Sequence, residues 1–290
     1  MSAIIMDGKT LGFKIRESVK VRAAALSEKG IRPCLAVVLV GEDGASLSYV
    51  KSKEKALAEA GMESLDIKLP ESTGEQQLLK VIDDLNKNDN VHGILVQSPV
   101  PKHINEEKVI EAVAPQKDVD CFHPVSVGNM ILEKPGFLPC TPHGVLMLLR
   151  EYNVPVAGSH VVIVGRSNIV GKPLANLLIR KEYNATVTLC HTGTKDLAYY
   201  TLQADILVAA AGKHNIIKPD MIKEGAAVID VGINRVPDEG EKKGYRVCGD
   251  VDPAAAQKAG FYTPVPGGVG PMTIAMLLQN VIEAAERRLK

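Results

Sequence analysis

The sequence predicts an α/β protein made of two α/β domains flanking a cleft, and three observations carry that prediction. Four β-branched residues, Val161 to Val164, run into Gly165-Arg166-Ser167, after which Gly171 and Pro173 open an apolar segment with helical spacing. The first hundred residues alternate strand-like and helix-like patterns in the order βαβαβ, the signature of a parallel sheet. Two later apolar runs, residues 205–211 and 226–232, each meet glycine at the carboxyl end, where a parallel sheet presents its backbone to a ligand.

In order, residues 10–29 read as a helix closed by Gly30, and 34–41 as a buried strand. Glu42-Asp43-Gly44 is a turn that caps a helix over 45–60, which stops at Gly61. A strand (65–69), a helix (75–87) and a strand (92–98) follow, and then Pro-rich, irregular sequence is expected from 99 to 142. A helix over 143–152 leads into the strand at Val161, with further strands at 185–190, 205–211 and 226–232. Residues 237–244 are polar and Gly-rich, as in a surface loop, and the chain closes with TPVPGGVGPMT (263–273) and an amphipathic helix. The expected division is 1–142 and 143–270, with the helix over 271–290 packing back on the first domain.

Composition narrows the function classes. At 290 residues, 46% of them hydrophobic and 23% charged, the chain supports two modest cores of a globular protein. A net charge of zero gives no electrostatic footprint for nucleic acid or an anionic membrane. No apolar run is long enough to span a bilayer, and the first ten residues lack a secretory pattern, so a cytoplasmic location is expected. Five widely spaced cysteines without a C-x-x-C indicate neither a zinc site nor a disulfide framework. Asp118, Asp120, Cys121 and His123 cluster in one loop, but their spacing matches no ligand pattern and Lys117 opposes a cation, so no metal is expected.

The turn after Val164 is a candidate phosphate cradle, because a strand, a tight glycine turn and a helix start present backbone N–H groups to an anion. It departs from G-x-G-x-x-G, since Ser167 takes the place of the second glycine, and from a P-loop, since Pro173 follows Gly171-Lys172. The next strand ends in His191-Thr192-Gly193 with no carboxylate to accept from a ribose 2′-hydroxyl. A hydroxyl, an imidazole and the Arg166 guanidinium converging there suit a 2′-phosphate, so a Rossmann-like domain binding NADP is preferred over one binding NAD.

In the first domain, a helical projection of 45–60 sets Lys53 in the middle of the apolar face. Ser46, Tyr49, Val50, Ala56, Leu57 and Ala60 fall within about 60° of it. A lysine there either snorkels past the core or enters a cleft, where desolvation makes it a usable acid or base; Tyr49 and Ser46 favour the cleft. Gln97 closes the strand over 92–98 at its carboxyl end, placed to hold a lysine amine or a water. Asp120 suits a paired hydrogen bond to an amino-pyrimidine edge.

Taken together, these segments resemble the bifunctional methylenetetrahydrofolate dehydrogenase/methenyltetrahydrofolate cyclohydrolase family. The resemblance runs through ASLSYVKSKEKA (45–56), GILVQSPVP (93–101), KDVDCFHP (117–124), PCTPHG (139–144), VVIVGRSNIVGKP (161–173), VIDVGINR (228–235), GDV (249–251) and TPVPGGVGPMT. It implies NADP-dependent oxidation of 5,10-methylenetetrahydrofolate and hydrolysis of the methenyl product to 10-formyltetrahydrofolate, by a homodimer. It further implies that Tyr49 stacks on the pterin, Lys53 is the cyclohydrolase acid/base, Gln97 is its partner and Asp120 anchors the pterin amino group. Pro266, Gly267 and Gly270 would line the folate site, and Gly165, Arg166, Ser167, Thr192 and Ile233 would contact NADP. Gly44, Ser98, Val100, Cys121 and Thr192 depart from the residues usual in the family. Thr192 keeps a hydroxyl, whereas Cys121 puts a side chain at a glycine position beside Asp120.

Overall fold

Runs of β-branched and small apolar residues form the interior strands, because a strand covered on both faces has no side to show to water. The computed structural model describes residues 3–41, 44–238, 240–241 and 244–289, with backbone alone for 44–51. The chain starts with β1 (Ile4–Ile5) and α1 (Gly8–Ser27), then β2 (Cys34–Val40), α2 (Gly44–Glu59), β3 (Glu63–Leu69), α3 (Glu75–Lys87) and β4 (Gly93–Val96). Three helices follow: α4 (Glu106–Ala112), α5 (Pro124–Ile131) and α6 (Cys140–Glu151). A second alternating stretch contains β5 (His160–Val164), α7 (Gly171–Leu178), β6 (Thr186–Cys190), α8 (Leu197–Thr201), β7 (Ile206–Ala209) and β8 (Ala227–Asp230). The hairpin β9 (Asn234–Pro237) and β10 (Tyr245–Cys248), the short β11 (Phe261–Tyr262) and α9 (Val269–Glu286) complete the chain.

The chain forms two compact units, one of Met1–Gly12 with Thr141–Thr273 and one of Phe13–Cys140 with Ile274–Lys290. The first holds a parallel six-stranded sheet in the order β1-β11-β8-β7-β5-β6. The chain steps from β5 to β6 on one side and then returns to β7 on the other, which opens a crevice at the carboxyl ends of those strands. Val162, Val164, Leu207, Ala209, Val228 and Tyr262 lie in its core.

The other unit is built on a three-stranded parallel sheet, β3-β2-β4, with β2 buried along its whole length. Helix α3 turns Leu78, Ile82 and Leu85 into this core. Each such side chain contributes about 1.5–3 kcal/mol by leaving water. The later part of α9 belongs here. Asn280 Nδ2 donates to Val119 O (2.7 Å) and Leu138 O (2.9 Å), and Arg22 pairs with Glu286 at 2.7 Å. Among the described residues no helix is long and apolar enough to cross a membrane.

Two expectations are corrected. Residues 99–142 are not irregular throughout. Asn105 Oδ1 accepts from the N–H groups of Glu107 and Lys108 to start α4, and His123 Nδ1 accepts from Val125 N to start α5 at Pro124. Proline at a first helical turn starts a helix rather than breaking one. Residues 1–12 also do not belong with the first domain: Ile4 and Ile5 pair with Phe261 and Tyr262, supplying partners to a strand edge that would otherwise be open.

Candidate active site

In the three-stranded unit, the site is set by α2, by the end of β4 and by the loop that follows α4. Lys53 is only 6% exposed, and its Nζ donates to Gln97 Oε1 at 3.2 Å. Gln97 is held where β4 ends: its N–H donates to Val38 O, and its Nε2 donates to Ser98 O. The amide oxygen is thereby left facing the lysine. Burial holds the Lys53 amine below the usual lysine range, and the nearby Asp120 carboxylate pulls it part of the way back. Asp120 is pushed above the usual carboxylate range by burial, with Lys53 opposing and Asp118 adding to the shift.

The neighbours of Asp120 have distinct tasks. Asp118 accepts from the N–H groups of Phe122 and His123, so its charge shapes the loop. Lys117 donates to Leu85 O and Asn88 O, closing the carboxyl end of α3. Cys140 donates to an Asp120 oxygen at 3.5 Å, and burial, then Asp120, keep that thiol protonated. A small cavity of about 30 Å³ opens beside Asp120, walled by Val96, Val100, Val109, Ile110 and Phe122. Cys121 is buried with φ of +59°, a backbone conformation that explains why glycine is the easier residue there. The side chains of Ser46 and Tyr49 lie outside the described residues. No group of three or more His, Cys, Asp or Glu able to hold a metal occurs among the described residues.

In the six-stranded unit, Gly165 leaves β5 with φ of +134°, and its N–H donates to Cys190 O at 2.9 Å. A Cβ on Gly165 would lie 2.6 Å from the Ala210 carbonyl carbon, so the turn exists only without a side chain. Ser167 Oγ accepts from Val170 N (3.1 Å) and Gly171 N (3.4 Å), which fastens the entry to α7. Arg166 and Thr192 are exposed at the carboxyl edge of the sheet, and so is Ile233. His191 does not reach toward a ligand with its Nδ1; that atom accepts from Gly193 N at 3.0 Å and folds the turn. Gly267 has φ of +116°, and a Cβ on Gly270 would lie 3.8 Å from Ile233 Cδ1, so the segment over 266–270 and the loop after β8 run close together.

Both units have counterparts among known proteins. The model of the tetrahydrofolate dehydrogenase/cyclohydrolase catalytic domain matches residues 6–120, and that of the tetrahydrofolate dehydrogenase/cyclohydrolase NAD(P)-binding domain matches residues 139–289. The chain belongs to this family. A bifunctional protein FolD from Moorella thermoacetica is 56% identical over 288 residues, covering 99% of this chain and 100% of its own. The crystal structure of the bifunctional FolD methylenetetrahydrofolate dehydrogenase/cyclohydrolase from Campylobacter jejuni superposes with a TM-score of 0.94 at 49% identity, over 99% of this chain and 100% of that one. The FolD of Trypanosoma brucei, crystallised with NADP cofactor and an inhibitor, gives a TM-score of 0.96 at 37% identity, over 100% and 99% of the two chains.

Several groups in this tetrahydrofolate dehydrogenase/cyclohydrolase went unread in the sequence. Cys140 and Asn280 support the loop of Asp120, and Asp230 and Asp250 are buried in the six-stranded unit. A signal existed for the last two. An aspartate that ends a run of apolar strand residues, as in VID, must find hydrogen-bond donors inside the protein.

Proposed function

We propose that this protein oxidises 5,10-methylenetetrahydrofolate to 5,10-methenyltetrahydrofolate with NADP and hydrolyses the product to 10-formyltetrahydrofolate. The buried Lys53 amine, held by Gln97 Oε1 at 3.2 Å beside Asp120, is the observation that carries the reading. Methenyl-folate is a cation spread over two nitrogens and the carbon between them, and water adding to that carbon must lose a proton. Neutral Lys53 accepts that proton and passes it to the departing ring nitrogen, while the hydroxyl proton of the adduct leaves to solvent as the formyl C=O forms, so one residue acts as base and then as acid. Burial favours the amine, while the Asp120 carboxylate favours the ammonium. Asp120 binds the pterin amino edge, Tyr49 stacks on the pterin with Ser46 alongside, and Pro266, Gly267 and Gly270 contact the folate.

The residues of the glycine turn fit NADP. Gly165 has no room for a side chain, and β6 ends without a carboxylate. Gly165, Arg166, Ser167, Thr192 and Ile233 would hold the cofactor, with Arg166 and Thr192 at the 2′-phosphate. When bound, NADP supplies the hydride-accepting ring; the protein fixes its orientation. The domain over 1–142, less residues 1–12, is then the folate-binding catalytic one, and 143–270 the NADP-binding one. A homodimer in the cytoplasm is proposed with it, a location with which five free thiols agree.

The test is methenyl-folate absorbance, followed with NADP and separately with NAD. Methenyl-folate that forms with NADP and then decays by hydrolysis supports the assignment. No methenyl-folate with either cofactor overturns it.

A further inference from the structure

The six-stranded unit contains two buried carboxylates to which the chemistry above gives no task. Asp230, 1% exposed, ends β8, and Asp250, fully buried, follows β10. Asp250 Oδ2 accepts from Ala211 N (2.6 Å) and Gly212 N (2.8 Å) in the loop after β7, and its Oδ1 accepts from Asn234 Nδ2 (2.9 Å). Asp230 Oδ1 accepts from Gly232 N and Asp250 N, both at 2.9 Å, and its Oδ2 from Val251 N at 3.0 Å. Its own N–H donates to Thr263 Oγ1 at 2.7 Å. Six donors thus converge on two carboxylates, and the two are linked through the Asp250 N–H. The packing allows no spare volume: a Cβ at Gly232 would meet the Asp250 carboxylate, and one at Gly249 the Asp230 carboxylate.

The segments so tied are the carboxyl-edge loops of β7 and β8. They include Ile233, which is 58% exposed although its neighbours on both sides are fastened. A buried charge left partly unsatisfied is costly, so this many internal donors serve to fix two loops in one relation.

We propose that Asp230 and Asp250 are positioning residues for the dinucleotide: together they lock the loops over 211–212 and 232–234 into the surface against which it lies. The proposal rests on the reading that this sheet edge binds NADP. Neither carboxylate touches the ligand. Each acts through backbone N–H groups and through Asn234, and the loops would drift when a carboxylate becomes an amide that meets a donor with a donor.

Asp250→Asn isolates the effect. An asparagine at 250 can still accept from Ala211 and Gly212 N–H with Oδ1, but its Nδ2 then faces Asn234 Nδ2. NADP binding by calorimetry should weaken roughly 10- to 100-fold, the scale of one lost hydrogen bond to a charged group. The rate of hydrolysis of supplied methenyl-folate at saturation should stay at the wild-type value. The exchange variant Asp250→Asn with Asn234→Asp restores a donor–acceptor pair in reverse polarity and should recover NADP affinity. Unchanged NADP binding in Asp250→Asn overturns the proposal. So does an equal loss of both activities with no recovery in the exchange variant, since that marks a merely structural role. Wild-type protein that binds no NADP would instead remove the cofactor reading itself, and the positioning role with it.

Discussion

Replacing Gly165 with alanine should uncouple the two activities. The new methyl group would lie 2.6 Å from the Ala210 carbonyl carbon, about 0.8 Å inside the 3.4 Å at which ordinary contact begins. Its φ of +134° is also a region that L-residues barely enter. Strain of that kind costs about 1–3 kcal/mol, and the overlap a further 1–3 kcal/mol, relieved only if the turn shifts. The unit holding Gly165 should therefore lose about 2–6 kcal/mol, which is a fall of roughly 5–20 °C in its melting temperature. A turn so displaced loses hydrogen bonds to a charged phosphate and should bind NADP roughly 10- to 100-fold more weakly. Calorimetric NADP titration, a thermal melt and the hydrolysis of supplied methenyl-folate below the melting range together read the result. Hydrolysis should persist, because Lys53 and Gln97 belong to the other unit. An alanine variant with wild-type NADP affinity and wild-type melting would refute the close-approach account of this turn.

Lys53→Met should reduce cyclohydrolase turnover by roughly 10²- to 10⁴-fold, the usual share of a positioned acid/base, while leaving NADP binding intact; a normal hydrolysis rate ends the assignment. Arg166→Ala should weaken NADP roughly 10- to 100-fold through loss of charge-assisted hydrogen bonds, with NAD hardly affected. Equal losses for both cofactors would remove the 2′-phosphate role. His92 is buried, accepts from Cys34 N at 3.2 Å, and is lowered to about 4, mainly by burial, with Arg288 and Lys117 adding to it. Its folded pKa lies below the ordinary 6.5, so the unfolded chain binds the extra proton first, and stability falls as pH drops from about 6.5 to about 4. His92→Asn should flatten the slope of stability against pH in that window; an unchanged slope in denaturant titrations would show that another group sets it.

The parts of the molecule governed by local periodicity were legible in its residues. The run from Val161 to Gly165 is a strand and turn, and the projection that set Lys53 amid apolar neighbours matches its burial against Gln97. Where long-range donors decide the outcome, the sequence is silent. Nothing near Asp120 announces that Cys140 and Asn280 brace its loop, because those partners come from α6 and from α9. The proline density of 99–142 concealed α4 and α5, whose starts depend on the single caps Asn105 and His123. His191 looked free to face a phosphate, yet its Nδ1 is engaged by Gly193 N two residues away.

The strand Ile4–Ile5 finds its partner only at Phe261 and Tyr262, and the loop bearing Asp120 is braced by Asn280. Each unit therefore closes on a segment far along the chain, β11 for one and α9 for the other. A chain cut before residue 261 would lack both the strand that pairs with Ile4 and Ile5 and the helix that braces the loop of Asp120.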